Sequence, residues 1–325
     1  MRKVLLATTA LAAMGGVSVA SADVSGTSAG DVAISGTTSF NYTVTSGTGT
    51  GPQSDVAGAT AEEKNIGTQV DMNFTMSRTL DNGLTMTGLY SVDEGGNDDD
   101  GWSIAGDFGT IAFGGMANDG FGATATGLTA DEATTLTAAS FGGSGTVHND
   151  YIDHSDVSIT LDINGFGFGL GITDGAAGAD ESNGDGTQWG LTYAVPAGDT
   201  MGVTVAYASG TTGADNTDET SAGVTVTAGA ATVVLASNTS GFLTSDSVGA
   251  SYAVTDKFTV QGYTGSTESS NNANLDVDDL GVGFTYTIVD GLSLSVTHND
   301  LKGRNGTEAD NEDGTRTNIA IDATF

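Results

Sequence analysis

Apolar and polar residues alternate along most of this chain. Ile319, Ile321, Ala323 and Phe325 share one parity, and Arg316, Asn318, Ala320, Asp322 and Thr324 share the other. Alternation with period two is the mark of a strand with one apolar and one polar face. The same division sets Val32, Ile34, Phe40, Tyr42 and Val44 against Asp31, Ser35, Ser39, Asn41 and Thr43. It sets Ile66, Val70, Met72, Phe74 and Met76 against Gln69, Asp71, Asn73 and Thr75, and Leu280, Val282, Phe284, Tyr286 and Ile288 against Asp279, Thr285 and Thr287. The pattern predicts sixteen strands, near 31–45, 66–80, 84–93, 101–108, 110–116, 150–163, 166–173, 187–195, 200–209, 220–228, 230–239, 245–254, 258–267, 277–288, 292–300 and 314–325.

The connections also alternate. Short ones fall at Asp81-Asn82-Gly83, Phe108-Gly109, Asn164-Gly165, 196–199, Ala228-Gly229-Ala230, Thr255-Asp256-Lys257 and Val289-Asp290-Gly291. Asn-Gly and Asp-Gly make tight hairpin turns because both residues tolerate positive φ. Longer segments rich in Gly, Asp, Asn, Ser and Thr lie between them. Seven short turns and eight long loops join sixteen strands, which is the layout of an outer-membrane barrel with short turns at one rim and long loops at the other. An even count returns both ends of the sheet to the short-turn rim, where they can pair. Aromatic residues mark both rims: Phe108, Phe166, Phe258 and Phe325 beside short turns, and Tyr90, Trp102, Trp189 and Tyr207 toward long loops.

The first residues add a compartment. Arg2 and Lys3 precede an apolar run at 4–13, and Ala20-Ser21-Ala22 is a small-x-small cleavage site. That order predicts an export signal at 1–22 and a mature domain at 23–325. Beyond it, no stretch reaches the ~18 consecutive apolar residues of a spanning helix. In lipid only helices and closed sheets satisfy every backbone polar group. The expected fold is therefore all-β: a transmembrane antiparallel barrel of about sixteen strands in the bacterial outer membrane.

Composition fits that fold and narrows its chemistry. Cysteine is absent, so there are no disulfides and no thiolate metal site, and proline occurs only at Pro52 and Pro196. Without residues 1–22 the chain keeps six bases (Lys64, Arg78, Lys257, Lys302, Arg304 and Arg316) against 41 acids, a formal charge of −35. Such a surface repels nucleic acid and attracts cations. No nucleophile-and-base set appears, and His148, His154 and His298 lack ligand spacing, so an enzyme is not expected.

The connection at 117–149 is the longest. Thr129 and Glu132 resemble a helix start. A structureless loop of ~30 residues in a compact domain is usually functional or disordered. Folded inward, it would narrow the lumen and bring Asp119, Asp131 and Glu132 to the constriction; folded outward, it would lie on the surface.

FTMSRTLDNGLTMTGLYS at 74–91, WSIAGDFGTIAFGGM at 102–116, the long segment that follows and Phe325 resemble the general diffusion porins of Gram-negative bacteria, especially the alphaproteobacterial type. The resemblance implies a sixteen-stranded, usually trimeric barrel whose third long loop folds into the lumen. It implies passage of ions and small hydrophilic solutes without chemistry, and a loop at 93–101 that reaches a neighbouring subunit. One departure stands out. Such pores usually set arginines on the wall against acids on the inward loop, whereas here Arg78 has outward parity and Arg316 is the one base on a strand with clear inward parity. Asp71, Asp162, Asp279 and Asp322 have inward parity instead, so a cation-preferring lumen is expected. The membrane partners expected are outer-membrane lipid and lipopolysaccharide.

Two acidic segments leave a second function open. Gly95-Gly96-Asn97-Asp98-Asp99-Asp100-Gly101 gathers oxygen ligands on what reads as a flexible turn, and Glu308, Asp310, Glu312 and Asp313 form another group. Calcium takes six to eight oxygens, so Asp98, Asp99 and Asp100 are candidate ligands, with no other cofactor expected. The alternative to a channel is a secreted, acidic, calcium-binding surface-layer β-protein. It would bury its apolar faces against a second sheet.

Overall fold

The computed structural model describes residues 31–48, 63–93, 96–114, 116–117, 157–163, 165–173, 186–196, 200–212, 217–241, 243–270, 277–304 and 311–325. They form β1 (Asp31–Thr48), β2 (Glu63–Thr79), β3 (Thr85–Asp93), β4 (Gly96–Gly106), β5 (Gly109–Gly114), β6 (Val157–Ile163), β7 (Phe166–Thr173) and β8 (Gly186–Val195). They continue as β9 (Met201–Thr212), β10 (Thr217–Ala228), β11 (Ala231–Ser240), β12 (Leu243–Thr255), β13 (Phe258–Ser269), β14 (Val277–Val289), β15 (Leu292–Arg304) and β16 (Asn311–Thr324). Each strand pairs antiparallel with its neighbours in sequence, and β1 pairs with β16 to close the barrel.

Register carries the sequence parity around the wall. Phe40 lies opposite Ile321 and Tyr42 opposite Ile319. Ile34 lies opposite Phe74 and Val32 opposite Met76. Directly paired residues share a face, so the apolar sets join into continuous outer rows. Those rows face away from protein: Ile34, Phe40, Leu235 and Ile321 are 39, 41, 47 and 41% exposed. The buried apolar residues among those described are six alanines with Val234 and Tyr263. A sandwich would show the reverse, with large apolar residues sealed between sheets. Rings pair across strands on the outer face, with Phe166 on Tyr193 and Trp102 on Phe113 at 4.2 Å each.

The seam has its own device. Gly36 in β1 exchanges backbone hydrogen bonds with Phe325, at 2.8 and 3.0 Å. A Cβ at Gly36 would lie 2.7 Å from the Phe325 ring and 2.7 Å from the Asp71 carbonyl oxygen. The missing side chain thus lets the ring lie over β1 while β2 approaches from the other side.

The short turns match the sequence. Gly83, Gly109, Gly165, Gly229 and Gly291 all have positive φ. At the first turn Gly83 N–H donates to the Leu80 carbonyl at 2.9 Å, and Leu84 N–H to Asn82 Oδ1 at 3.2 Å. Several long loops are shorter than expected because the strands run on. β4 starts at Gly96 rather than 101, β9 reaches Thr212, β15 reaches Arg304 and β16 begins at Asn311. Asp, Asn and Gly favour turns in isolation, but ladder bonds to an already ordered neighbour override that preference. The segment at 93–101 is therefore mostly a hairpin, with Asp93 opposite Gly96 and Val92 opposite Asn97.

Candidate functional site

The inner wall follows from the opposite parity. Along β1 it presents Thr37, Ser39, Asn41 and Thr43. These side chains link to their neighbours. Asn41 Nδ2 donates to Ser39 Oγ at 3.2 Å, and Thr43 Oγ1 donates to Asn318 Oδ1 at 2.9 Å. Asp71 of β2 accepts from Thr37 Oγ1 at 3.0 Å and from Gln69 Nε2 at 3.2 Å, which fixes both carboxylate oxygens against the wall. On the other flank of β1, Asp322 of β16 lies opposite Ser39 and opposite Ser293 of β15. A hollow of about 450 Å³ opens along this stretch, with Asp71 and Asp322 on its two sides. With β1 between them, their strands are two spacings apart, roughly 9.6 Å.

The far side of the wall differs. Asn238, Tyr263, Gln188 and Asn299 point inward by register but are only 5, 3, 1 and 3% exposed. Their neighbours across the ladder include Gly171, Gly249 and Gly281, which are too small to cover them. Ser221 Oγ donates to Asn238 Oδ1 at 2.5 Å on this side. The lumen thus has an open acidic face at β16, β1 and β2, and from β8 to β15 a face whose buried described side chains are hydroxyl, amide and small apolar ones.

Charge is distributed unevenly between the two surfaces. Among described side chains with inward register, the charged ones are Asp31, Asp71, Asp162 and Asp322. Four short turns add exposed carboxylates at that mouth: Asp81, Asp107, Asp256 and Asp290. The bases lie elsewhere. Lys64 pairs with outward Val44, and Arg78 with outward Met86. Lys302 lies opposite Asp278 on the outer face and bridges Asp300 at 3.7 Å. Lys257 sits in the β12–β13 turn, where its Nζ donates to the Ile288 carbonyl at 3.4 Å.

The sequence-predicted residues divide accordingly. Asp71 and Asp322 share one hollow, while Asp162 stands at the end of β6, four strands round from β2. Asp279 pairs with Gly265 and Leu301, and Arg316 with Thr45 and Asn299; both have inward register, but their side chains lie outside the described set. Asp119, Asp131 and Glu132 fall outside the described residues. Asp98, Asp99 and Asp100 belong to β4 rather than to a turn. The β3–β4 register shifts beside them, between Tyr90 and Val92. Asp31 and the turn acids were not among the expected site residues, although Asp31 shares the parity of Ser35 and Ser39.

Comparison with known proteins agrees with this geometry. A family profile described as Gram-negative porin matches residues 7–325. Similar solved structures include an anion-selective porin from Comamonas acidovorans, with TM-score 0.63 and 14% identity over 91% of this chain and 100% of that one. OmpF of Salmonella typhi, solved with daunomycin, gives TM-score 0.64 and 15% identity over 91% of this chain and 98% of that one. OmpT of Vibrio cholerae gives 0.63 and 12% over 92% and 99%. A search of curated protein sequences finds no match.

Proposed function

The chain belongs to the Gram-negative porin family and lies in the outer membrane, and from that premise we propose that it forms a water-filled diffusion channel preferring cations. The observation that carries the preference is the sorting of charge. The described inward charges are all aspartates, and the described lysines and Arg78 are turned out of the lumen or held in a turn. Field lines concentrate in a pore with low-dielectric walls, so fixed acids raise the local cation concentration. The solute undergoes no reaction in this reading. Hydroxyl and amide groups along β1 replace part of the hydration shell of small hydrophilic solutes, and Asp71 and Asp322 set the sign of charge that passes.

The proposal extends to the rest of the chain. Residues 1–22 act as the export signal, and the barrel assembles as a trimer with the β3–β4 hairpin toward a neighbour. The segment at 117–149 enters the lumen and contributes Asp119, Asp131 and Glu132 to the narrowest passage. Two features of the described residues support that placement. Ala117 is buried and its N–H donates to the Gly114 carbonyl at 2.7 Å, so the chain turns sharply as it leaves β5. The far inner wall is also covered, although a sixteen-stranded barrel is too wide for its own walls to touch.

The reversal potential of the purified protein in a planar bilayer, measured across a salt gradient, tests the preference. Cation preference should be clear in dilute salt and weaken in concentrated salt, because the Debye length falls from ~10 Å at 0.1 M to ~3 Å at 1 M. Anion preference would overturn the assignment.

A further inference from the structure

Asn82 and Gly83 stand exposed beside Asp81 in the turn between β2 and β3. Gly83 has φ +82°, and a Cβ built on it would meet nothing within 4 Å. Glycine is therefore required here by the backbone angle and not by crowding. The same choice leaves the Gly83 nitrogen with no side chain beside it. In a flexible chain that nitrogen can reach the side-chain carbonyl carbon of Asn82. The C–N bond that forms expels the side-chain amide nitrogen as ammonia, and water carries the Gly83 proton to the leaving group. Water then opens the cyclic imide at either of its carbonyls. One opening gives aspartate. The other gives isoaspartate, in which the main chain runs through the former side chain.

The closed hairpin opposes the first step. Gly83 N–H donates to the Leu80 carbonyl at 2.9 Å, the bond that closes a β-turn. To attack, the nitrogen must give up the proton it shares with Leu80 and turn its peptide plane toward the Asn82 side chain, which undoes the turn. The turn is tied further out as well. Leu80 N–H donates to the Leu84 carbonyl at 2.7 Å, and the hydroxyls of Thr79 and Thr85 meet at 3.0 Å. Freeing the Gly83 nitrogen therefore loosens the end of the β2–β3 ladder. One contact works the other way. Leu84 N–H donates to Asn82 Oδ1 at 3.2 Å, and a donor there favours the oxyanion of the attack. That help counts only once a nitrogen is free to attack, so the closed turn decides the outcome.

We propose that Asn82 is a deamidation site in the unfolded chain, that the closed hairpin shuts the reaction off, and that chains carrying isoaspartate at 82 are excluded from the barrel. Aspartate keeps the length of the main chain, so the turn still closes. Isoaspartate adds a main-chain carbon between the Leu80 carbonyl and the Gly83 N–H, and the bond that closes the turn no longer fits. The time a chain spends unfolded is thereby recorded at one residue. The proposal needs the hairpin alone and is independent of what passes through the lumen.

The test is peptide mapping by mass spectrometry of the full-length protein, aged in mildly alkaline buffer either folded in detergent or unfolded in guanidinium chloride. Loss of the Asn82 amide should run at least about tenfold faster in the unfolded chain, because the folded one reacts only through openings of the hairpin. Aged chains are then refolded, and the heat-modifiable band is separated from the unfolded one. Isoaspartate at 82 should be depleted about fivefold in the folded band, whereas aspartate at 82 should divide evenly between the two. Asn82→Asp, made by expression, should fold like the unaltered chain, which separates the altered main chain from the added charge. Equal rates in the two states, or a faster reaction in the folded one, would overturn the shielding. Isoaspartate shared equally between the bands, or an Asn82→Asp chain that does not fold, would overturn the exclusion. The rates are read on the unaltered chain and require no variant to fold.

Discussion

Replacing Asp71 and Asp322 together by Asn should remove most of the charge preference without disturbing the barrel. An ion moving along the inner surface of β1 passes between the two carboxylates, about 6 Å from each if it tracks midway, since the acids are two strand spacings apart and offset by two residues along β1. Coulomb's law in water gives about 0.7 kcal/mol at that range. Screening at about 0.1 M salt lowers it to roughly 0.4 kcal/mol. A cation gains that energy and an anion loses it, so each acid contributes about 0.8 kcal/mol of discrimination, or about fourfold in relative permeability. Removing both should cut the cation-to-anion ratio by roughly fifteenfold at about 0.1 M and by only about twofold at 1 M, where the Debye length is ~3 Å. The assay is the reversal potential across a salt gradient, run at both mean concentrations. Asp218→Asn and Asp278→Asn together, on the outer faces of β10 and β14 and with the same loss of charge, serve as the comparison and should leave the ratio unchanged. If the double variant folds as a heat-modifiable barrel and keeps the original ratio at low salt, the idea that these two side chains set selectivity is wrong.

Three further outcomes are expected. Gly36→Ala should destabilise the barrel by about 1–3 kcal/mol through overpacking, seen as a lower urea midpoint; adding Phe325→Ala should recover only part of it, because the Asp71 carbonyl still lies 2.7 Å from the new Cβ. Since the chain has no cysteine, single substitutions report side directly: Ser39→Cys should react with a membrane-impermeant thiol reagent and lower the current, and Phe40→Cys should do neither. Replacing residues 120–147 with a short Gly-Ser linker should raise single-channel conductance, and an unchanged conductance would place that segment away from the passage.

Most of the fold was legible because a barrel has no interior core to hide its pattern. Each strand repeats the same two-residue alternation, and register then carries Phe40 onto Ile321 and Ser39 onto Asp322 without a break. Turns were equally readable, since Asn82-Gly83 demands positive φ locally. The ends of strands were not. Asp98, Asp99 and Asp100 look like a ligand turn by composition, and only the pairing of β4 with β3 makes them strand residues. The hollow shared by Asp71 and Asp322 was half readable. Parity put both inside, but their closeness depends on β16 meeting β1, a contact between residues nearly a full chain length apart.

The account stands or falls on one electrical measurement: the current and reversal potential of the unaltered, purified protein in a planar bilayer across a gradient of dilute potassium chloride. It predicts steady conductance through single channels, with the reversal potential displaced toward the potassium equilibrium potential. A protein that inserts without conducting, or one whose potential is displaced toward chloride, would contradict it.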